Sequence, residues 1–425
     1  MPGTGATVRF WDGGCPASDT PCGDTTSIFL CPCRARNNPS WWSRTGGLSS
    51  AKIRNMKRGT TGRRWLWIVL GSGAYLLRLL LWKNSVIVEN FYSRGFFVGF
   101  RWLWDHTLGY SPVPLLYVLL AAVVAWGIGR IFRRVARKKP SLYRSTSLPE
   151  KFGRGALLVG SRLGILVFFF YVLWGFNYDR ISVEKQLGLD VAPVDLATLR
   201  AEAERTERAL ADCRASIPLA TDAVLSREML PPNLEADIRR ALVKILSDAG
   251  YPVAGRGRVR PLRPGGWLMR FSSTGFYFPY CGEGYIAANL TPAEKPFVIA
   301  HELVHVYGIT DEGAANFLGF LACESSDDQF VRYAGQLAYW EYVFPELVKT
   351  SHDDAKKLAA RLPPGVRADL EAAFENWNRY RGRLQETAQA VYGHYLKSQG
   401  ITEGIKSYDR FVALVVAAQK AAMKR

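Results

Sequence analysis

Residues 295–316 read KPFVIAHELVHVYGITDEGAAN. This stretch decides what the C-terminal half of the chain becomes. Thr291-Pro292 opens a turn, and Gly308 suits the position just past a helix end. A helix is therefore expected from about Ala293–Pro296 to Tyr307. Within it, HELVH places His301 and His305 at i and i+4, on one face and one turn apart. Two imidazoles so placed can bind one Zn²⁺ at about 2.0–2.1 Å. Glu302 projects beside them, able to take a proton from a zinc-bound water and return it to a leaving amine. Leu303, Val304 and Val306 are apolar, which suits a helix buried on its other face.

Catalytic zinc uses three protein ligands and keeps one position for water. Two neighbouring acids compete for the third place. HELVHVYGITD has the spacing HExxHxxGxxD, which resembles metzincins and would make Asp311 the ligand. Metzincins also need a downstream Met-turn, and the only Met after residue 311 is Met423. Glu312 opens EGAAN, which resembles the ExxA(N/D) element of gluzincin-like peptidases. Glu312 is preferred. Asn316, at i+4 from it, is placed to orient a ligand from the second shell. For either acid the ordinary alternative is helix capping.

The surrounding residues, 181–425, are enough for one core. Amphipathic periodicity predicts helices at Leu199–Ile217 and Leu234–Ala249. Residues 255–266 read as a Gly/Arg/Pro-rich connection. Short strands are expected at Trp267–Phe271, Gly275–Pro279 and Gly284–Leu290. Further helices fit Glu312–Ala322, Asp327–Phe344, Arg367–Leu396 and Ile405–Met423. The strand GYIAANL is also a candidate to pair with an extended peptide. Tyr307, Tyr333 and Tyr339 are weak oxyanion candidates. His394 is an amphipathic-helix residue first, with a metal or proton-transfer role as the alternative, and Glu283 either lines the cleft or shapes a turn.

The chain has 425 residues, 48% of them hydrophobic and 13% aromatic, which excludes a mainly disordered protein. Its formal charge of +18 invites a nucleic-acid role. The charge is not evenly placed. Residues 1–180 carry 25 Lys/Arg against 7 Asp/Glu, while residues 181–425 carry 30 of each. The basic part is also where the apolar runs lie, at about 65–82, 113–132 and 155–178. Each is long enough to cross a bilayer. Arg78 and Arg162 interrupt two of them, where long side chains can snorkel to the headgroups. Basic residues flank the first span on its N-terminal side (Lys52 to Arg64) and fill the loop between the second and third (Arg133 to Arg154). The loop between the first and second has only Lys83, Arg94 and Arg101. The positive-inside rule then puts the N-terminus in the cytoplasm and everything after about residue 180 outside. Membrane topology accounts for the charge, and no nucleic-acid partner is expected.

Residues 1–60 read as a disordered tail, or as sequence upstream of a true start at Met56. Cys15, Cys22, Cys31 and Cys33 lack zinc-knuckle spacing. Of Cys213, Cys281 and Cys323, at most one pair can bridge, Cys281–Cys323 being the candidate.

Blocks throughout the chain resemble a bacterial membrane-protein family, domain of unknown function 3810. They include NFYSRGFF, LGYSPVP, VLWGFNYDR, GFYFPYCGEGYIAANL, KPFVIAHELVHVYGITDEGAANFLGFLAC, RYAGQLAYWEY and VYGHYLKSQGITEGIKSYDRFVALV. The resemblance runs over about residues 60–425. It implies a three-span anchor in the bacterial inner membrane and an extracytoplasmic, gluzincin-like zinc-peptidase domain, and it supplies no substrate; beside the lipid bilayer, a peptide or protein of the envelope is the partner expected. It gives His301, His305 and Glu312 the metal and Glu302 the base role by position. Ala314 departs from it, standing where the family usually has a second acid. The fold class expected is thus membrane-anchored and mainly α: three transmembrane helices, then a zincin-like α+β domain, mostly helical with a small sheet. The competing expectation is a non-enzymatic envelope protein whose zinc site is structural or relict.

Overall fold

The structure is a computed structural model that describes residues 50–82, 84–136, 148–399 and 410–423. The N-terminal tail with its four cysteines, the linker basic residues Arg137, Lys138, Lys139 and Arg144, and residues 405–409 of the last expected helix lie outside the described residues.

Helix α1 covers Ser50–Leu81, beginning inside the stretch read as a tail. Among the described residues, three helical stretches are long and apolar enough to cross a membrane: Thr60–Leu81 of α1, Leu115–Ala136 (α3) and Leu148–Leu173 (α4). The third ends five residues short of the expected Tyr178. Gly175–Asp179 is instead a 3₁₀ turn with Phe176, Asn177 and Asp179 buried. Spans α1 and α4 cross backbone to backbone. A Cβ on Gly71 would lie 2.5 Å from the Gly164 carbonyl oxygen, and one on Gly164 would overlap the Trp67 carbonyl. Gly160 and Gly164 form the small-xxx-small spacing that lets helices approach in lipid. Gly164→Leu is expected to separate the spans and lower the unfolding midpoint followed by circular dichroism. Gly73→Leu, with open space around Gly73, should leave it unchanged.

Arg78 does not snorkel. It is fully buried. Its Nε donates to Asp179 Oδ2 at 3.2 Å, and its terminal nitrogens to the carbonyls of Gln399 (2.5 Å) and Ser398 (3.3 Å). A guanidinium with five donors is held here by a carboxylate and by the C-terminal end of a helix, both of which favour positive charge. Arg162 does stay exposed, over the Trp126 ring at 6.0 Å.

The interspan segment, read as a plain loop, is helical. Residues Val88–Phe96 are π-helical and continue into α2 (Phe97–Thr107). Glu89, Ser93, Phe97, Arg101 and Asp105 form its buried stripe. Arg180 binds Glu89 at 2.8 and 2.9 Å, Ser93 donates to Asn177 at 2.9 Å, and Arg101 donates to the Gly282 carbonyl at 2.5 Å. The segment therefore packs against the C-terminal part. The N-terminus of α3 is tied there too: Leu115 N donates to Glu283 Oε2 (2.9 Å) and Leu116 N to the Tyr285 hydroxyl (3.0 Å). Residues Arg58–Arg425 consequently form one compact unit, with no division near residue 180.

The C-terminal part is mainly α with one small sheet. Helices α5 (Leu196–Ala215) and α6 (Leu234–Asp248) match expectation. The sheet does not wholly match. Strand β1 is Val259–Leu262, inside the expected connection, and pairs parallel with β3 (Glu283–Ala287); β2 (Gly275–Phe278) pairs antiparallel on the other side of β3. Pro261 in β1 is tolerated because β1 is an edge strand. Trp267–Phe271 is not a strand; Met269–Phe271 is a 3₁₀ turn. Since β3 is central, GYIAANL has no free edge for a peptide.

Six helices follow: α7 (Lys295–Val306), α8 (Glu312–Glu324), α9 (Gln329–Thr350), α10 (His352–Arg361), α11 (Pro364–Asn378) and α12 (Arg383–Ser398). The final helix, α13, covers Arg410–Met423. The long helix expected over 367–396 is broken near Gly382, and α10 was not anticipated. The break turns Tyr380 toward Asn289, whose amide donates to the Tyr380 hydroxyl at 3.2 Å. The core joins α7, α8 and α9 through residues such as Ala300, Leu303, Phe317 and Tyr339. Cys213, Cys281 and Cys323 are free thiols, so no 281–323 bridge forms.

Candidate metal centre

Helix α7 ends at Tyr307, and Gly308 follows with φ +85°, the left-handed conformation that glycine adopts without penalty. A second constraint acts there: a Cβ on Gly308 would lie 2.6 Å from the Phe97 ring. The interspan segment thus backs the turn that leads from one pair of site residues to the next. Asp311 then caps α8, accepting from Ala314 N at 2.7 Å, and its other oxygen accepts from Arg410 at 3.1 Å. Asp311 is committed as a cap and ion-pair partner. Glu312, one residue on, turns inward.

His301, His305 and Glu312 bring three donor atoms together. His301 Nε2 and His305 Nε2 are 3.0 Å apart, and Glu312 Oε2 lies 3.2 and 3.5 Å from them. Ligands at about 2.0–2.1 Å around a tetrahedral ion stand roughly 3.3 Å from one another. The remaining ring nitrogens are spoken for. His301 Nδ1 meets Asn316 Oδ1 at 2.7 Å and His305 Nδ1 meets the Ile309 carbonyl at 2.7 Å. With Nδ1–H donating to these oxygens, both Nε2 lone pairs point at the common point.

Glu302 lies beside this group, buried beneath the sheet. A Cβ on Gly275 of β2 would come 2.5 Å from its Oε1, so the adjacent strand must carry glycine there. Glu302 Oε2 is buried without a hydrogen-bond partner among the described residues. Burial pushes its carboxyl up to about 7, against the pull of the two histidines. For His305, burial works to lower the pKa, but the Glu312 carboxylate outweighs it and pushes the ring up to about 9. Burial would raise Glu312; the facing imidazoles instead hold it well below the usual carboxylate range.

One site residue had no signal in the sequence. Tyr392 of α12 donates to Glu312 Oε1 at 2.5 Å. It lies in the same block as His394, which is exposed, and only the fold brings it to a residue eighty positions away. The other tyrosines considered are bonded elsewhere: Tyr333 donates to Asp369 and Tyr339 to Glu202, while Tyr307 lies against Gly257. Glu283 is a tether, accepting from Arg260, Tyr285 and Leu115.

The described residues thus make a mainly helical protein with three candidate membrane spans and a His₂Glu donor group beside a buried carboxylate, one oxygen of which has no hydrogen-bond partner among them. It belongs to the family described as protein of unknown function (DUF3810), whose family model matches residues 92–416, from the interspan segment into the last helix. No curated protein and no solved structure matches it.

Proposed function

We propose that this chain is a membrane-anchored zinc metallopeptidase of zincin type. The observation that carries the proposal is the set of three donors at tetrahedral separations with the unpartnered Oε2 of Glu302 alongside. Two neutral imidazoles and one carboxylate are a donor set that suits Zn²⁺, and His301, His305 and Glu312 would hold it. When bound, zinc supplies a Lewis acid that polarises the scissile carbonyl and makes water acidic enough to attack near neutral pH. Glu302 takes a proton from the attacking water at Oε2 and passes it to the departing nitrogen as the C–N bond breaks. Asn316 and the Ile309 carbonyl fix the histidine rings, and Tyr392 fixes Glu312. Strand β2, the antiparallel edge of the sheet beside α7, offers an extended peptide its outer edge.

The structural-zinc alternative needs a fourth protein ligand. Among the described residues the donor group is these three, with Asp311 bonded to Ala314 and Arg410 and His394 exposed. That favours an open, catalytic position. The positive-inside pattern supports a cytoplasmic N-terminus in the bacterial inner membrane, with the site on the extracytoplasmic side. Hydrolysis of peptides by the full chain in detergent, abolished by a chelator and restored by zinc, is the test. A folded, zinc-loaded chain that cleaves no peptide would return the assignment to a non-enzymatic envelope protein.

The acid–base state of the metal-free site gives a further prediction. His305 is raised from its ordinary 6.5 to about 9. Its stabilisation of the metal-free fold is complete below about pH 6.5 and is lost as pH rises through 9. An ion requires the neutral ring. Zinc uptake at pH 7 should therefore release about one proton from His305, declining toward none above pH 9. Calorimetric titration in buffers of different ionisation enthalpy measures it.

A further inference from the structure

A cavity of about 740 Å³ lies away from the metal centre, between spans α1 and α4. Its walls are Ile68, Ser72 and Leu76 on one side and Leu163, Val167 and Phe170 on the other. Tyr280, Tyr395 and Gln399 of the C-terminal part close one end as a roof, with Tyr171 beneath it donating to Gln399 at 3.4 Å, while Ser72 and Tyr75 add polar groups along the α1 wall. The two spans touch at Gly71 and Gly164, within the walls, so the cavity is a slot rather than a berth for a third helix. A helix about 10 Å across would use up this volume in about six residues. A hydrocarbon chain fits where a helix does not.

The roof leads to the metal centre. Tyr395 meets Phe170 at 6.5 Å between ring centroids and stacks on Tyr392 at 6.1 Å, and Tyr392 donates to Glu312 Oε1. Phe170 also meets Trp174 at 6.3 Å, and Trp174 meets His305 at 6.5 Å. Arg78 clamps the end of α12 to the spans through the Ser398 and Gln399 carbonyls, which holds the roof over the slot. A chain lying between the spans would direct whatever is attached to its roofed end toward the side of the molecule that holds Glu312, two tyrosine rings away.

Resting on the peptidase assignment above, we infer that the slot between α1 and α4 receives the acyl chain of a lipid-anchored peptide and that the chain's substrates are acylated peptides cleaved near their membrane attachment. The reaction is ordinary hydrolysis: the water hydroxyl joins the carbonyl carbon, its proton goes to the amine, and the acyl chain stays intact. A resident phospholipid has the same tail chemistry. The slot's roofed end, two stacked rings from a ligand carboxylate, favours a tail that carries the reacting group.

The test uses the full chain in lipid nanodiscs, as Glu302→Gln so that nothing is turned over. The probe is a palmitoylated peptide with a photoactivatable diazirine in its acyl chain. The expected result is crosslinking to α1 and α4 wall residues, displaced by excess unlabelled palmitoyl peptide and not by added phospholipid. Leu76→Trp and Ser72→Trp, which fill the slot, should remove the crosslink. In the otherwise native chain the same two variants should raise KM for the acylated peptide about tenfold and leave cleavage of the non-acylated peptide unchanged. Absence of the crosslink, or its equal displacement by phospholipid, overturns the inference even if soluble peptides are cleaved. A specific crosslink in a chain that hydrolyses nothing would instead sink the peptidase assignment and leave an acyl-peptide binding protein.

Discussion

Glu302→Gln is expected to retain zinc and to lose hydrolysis by about 10²–10⁴-fold, the contribution of a positioned general base. The substitution is nearly isosteric, so the fit beneath Gly275 is kept. None of the three donor atoms belongs to Glu302. What disappears is the proton acceptor. Glutamine cannot take a proton from water, and the orphaned Oε2 is replaced by a group with nothing to accept it. Steady-state cleavage rates beside zinc content for parent and variant separate this outcome from simple unfolding. A variant that stays active would place the base elsewhere, and one that loses zinc would make Glu302 a supporting residue of the metal group.

Arg78→Met is expected to destabilise the chain by about 3–5 kcal/mol, the cost of removing one partner from a buried ion pair. Asp179 would keep its charge with its side chain only 3% exposed, and the Ser398 and Gln399 carbonyls would lose their donor. Adding Asp179→Leu should recover much of the loss, because the pair is replaced by apolar side chains rather than broken. Denaturation in detergent, followed by tryptophan fluorescence, gives both values. A neutral single variant would mean that Arg78 reaches the headgroups, as its place near the end of a span first indicates.

That difference over Arg78 shows what could be read from the chain and what could not. The donor group is legible because its spacing is local: His301 and His305 are one turn apart, and Glu312 and Asn316 begin the next helix. The capping of α8 by Asp311 follows from the same local chemistry. Hydropathy found the spans, because length and apolarity need no knowledge of partners. It saw Arg78 as an isolated charge, since Asp179 is 101 positions away and Gln399 is 321. Tyr392 was hidden for the same reason. The interspan helix is hidden because its polar stripe, Glu89 to Asp105, reads as a hydrophilic loop, and only the fold brings Arg180 and Gly282 to it. Strand β1 was masked by its own Arg and Pro content, and only its pairing with β3 reveals it.

Metal content of the full chain is the most direct measurement. The protein, purified in detergent and equilibrated with zinc, is desalted and assayed by inductively coupled plasma mass spectrometry. One zinc per chain is predicted for the parent and for Glu302→Gln, and none for the His301→Ala/His305→Ala double variant. A parent chain that is folded by circular dichroism and yet holds no stoichiometric zinc would contradict the assignment of His301, His305 and Glu312 as its ligands.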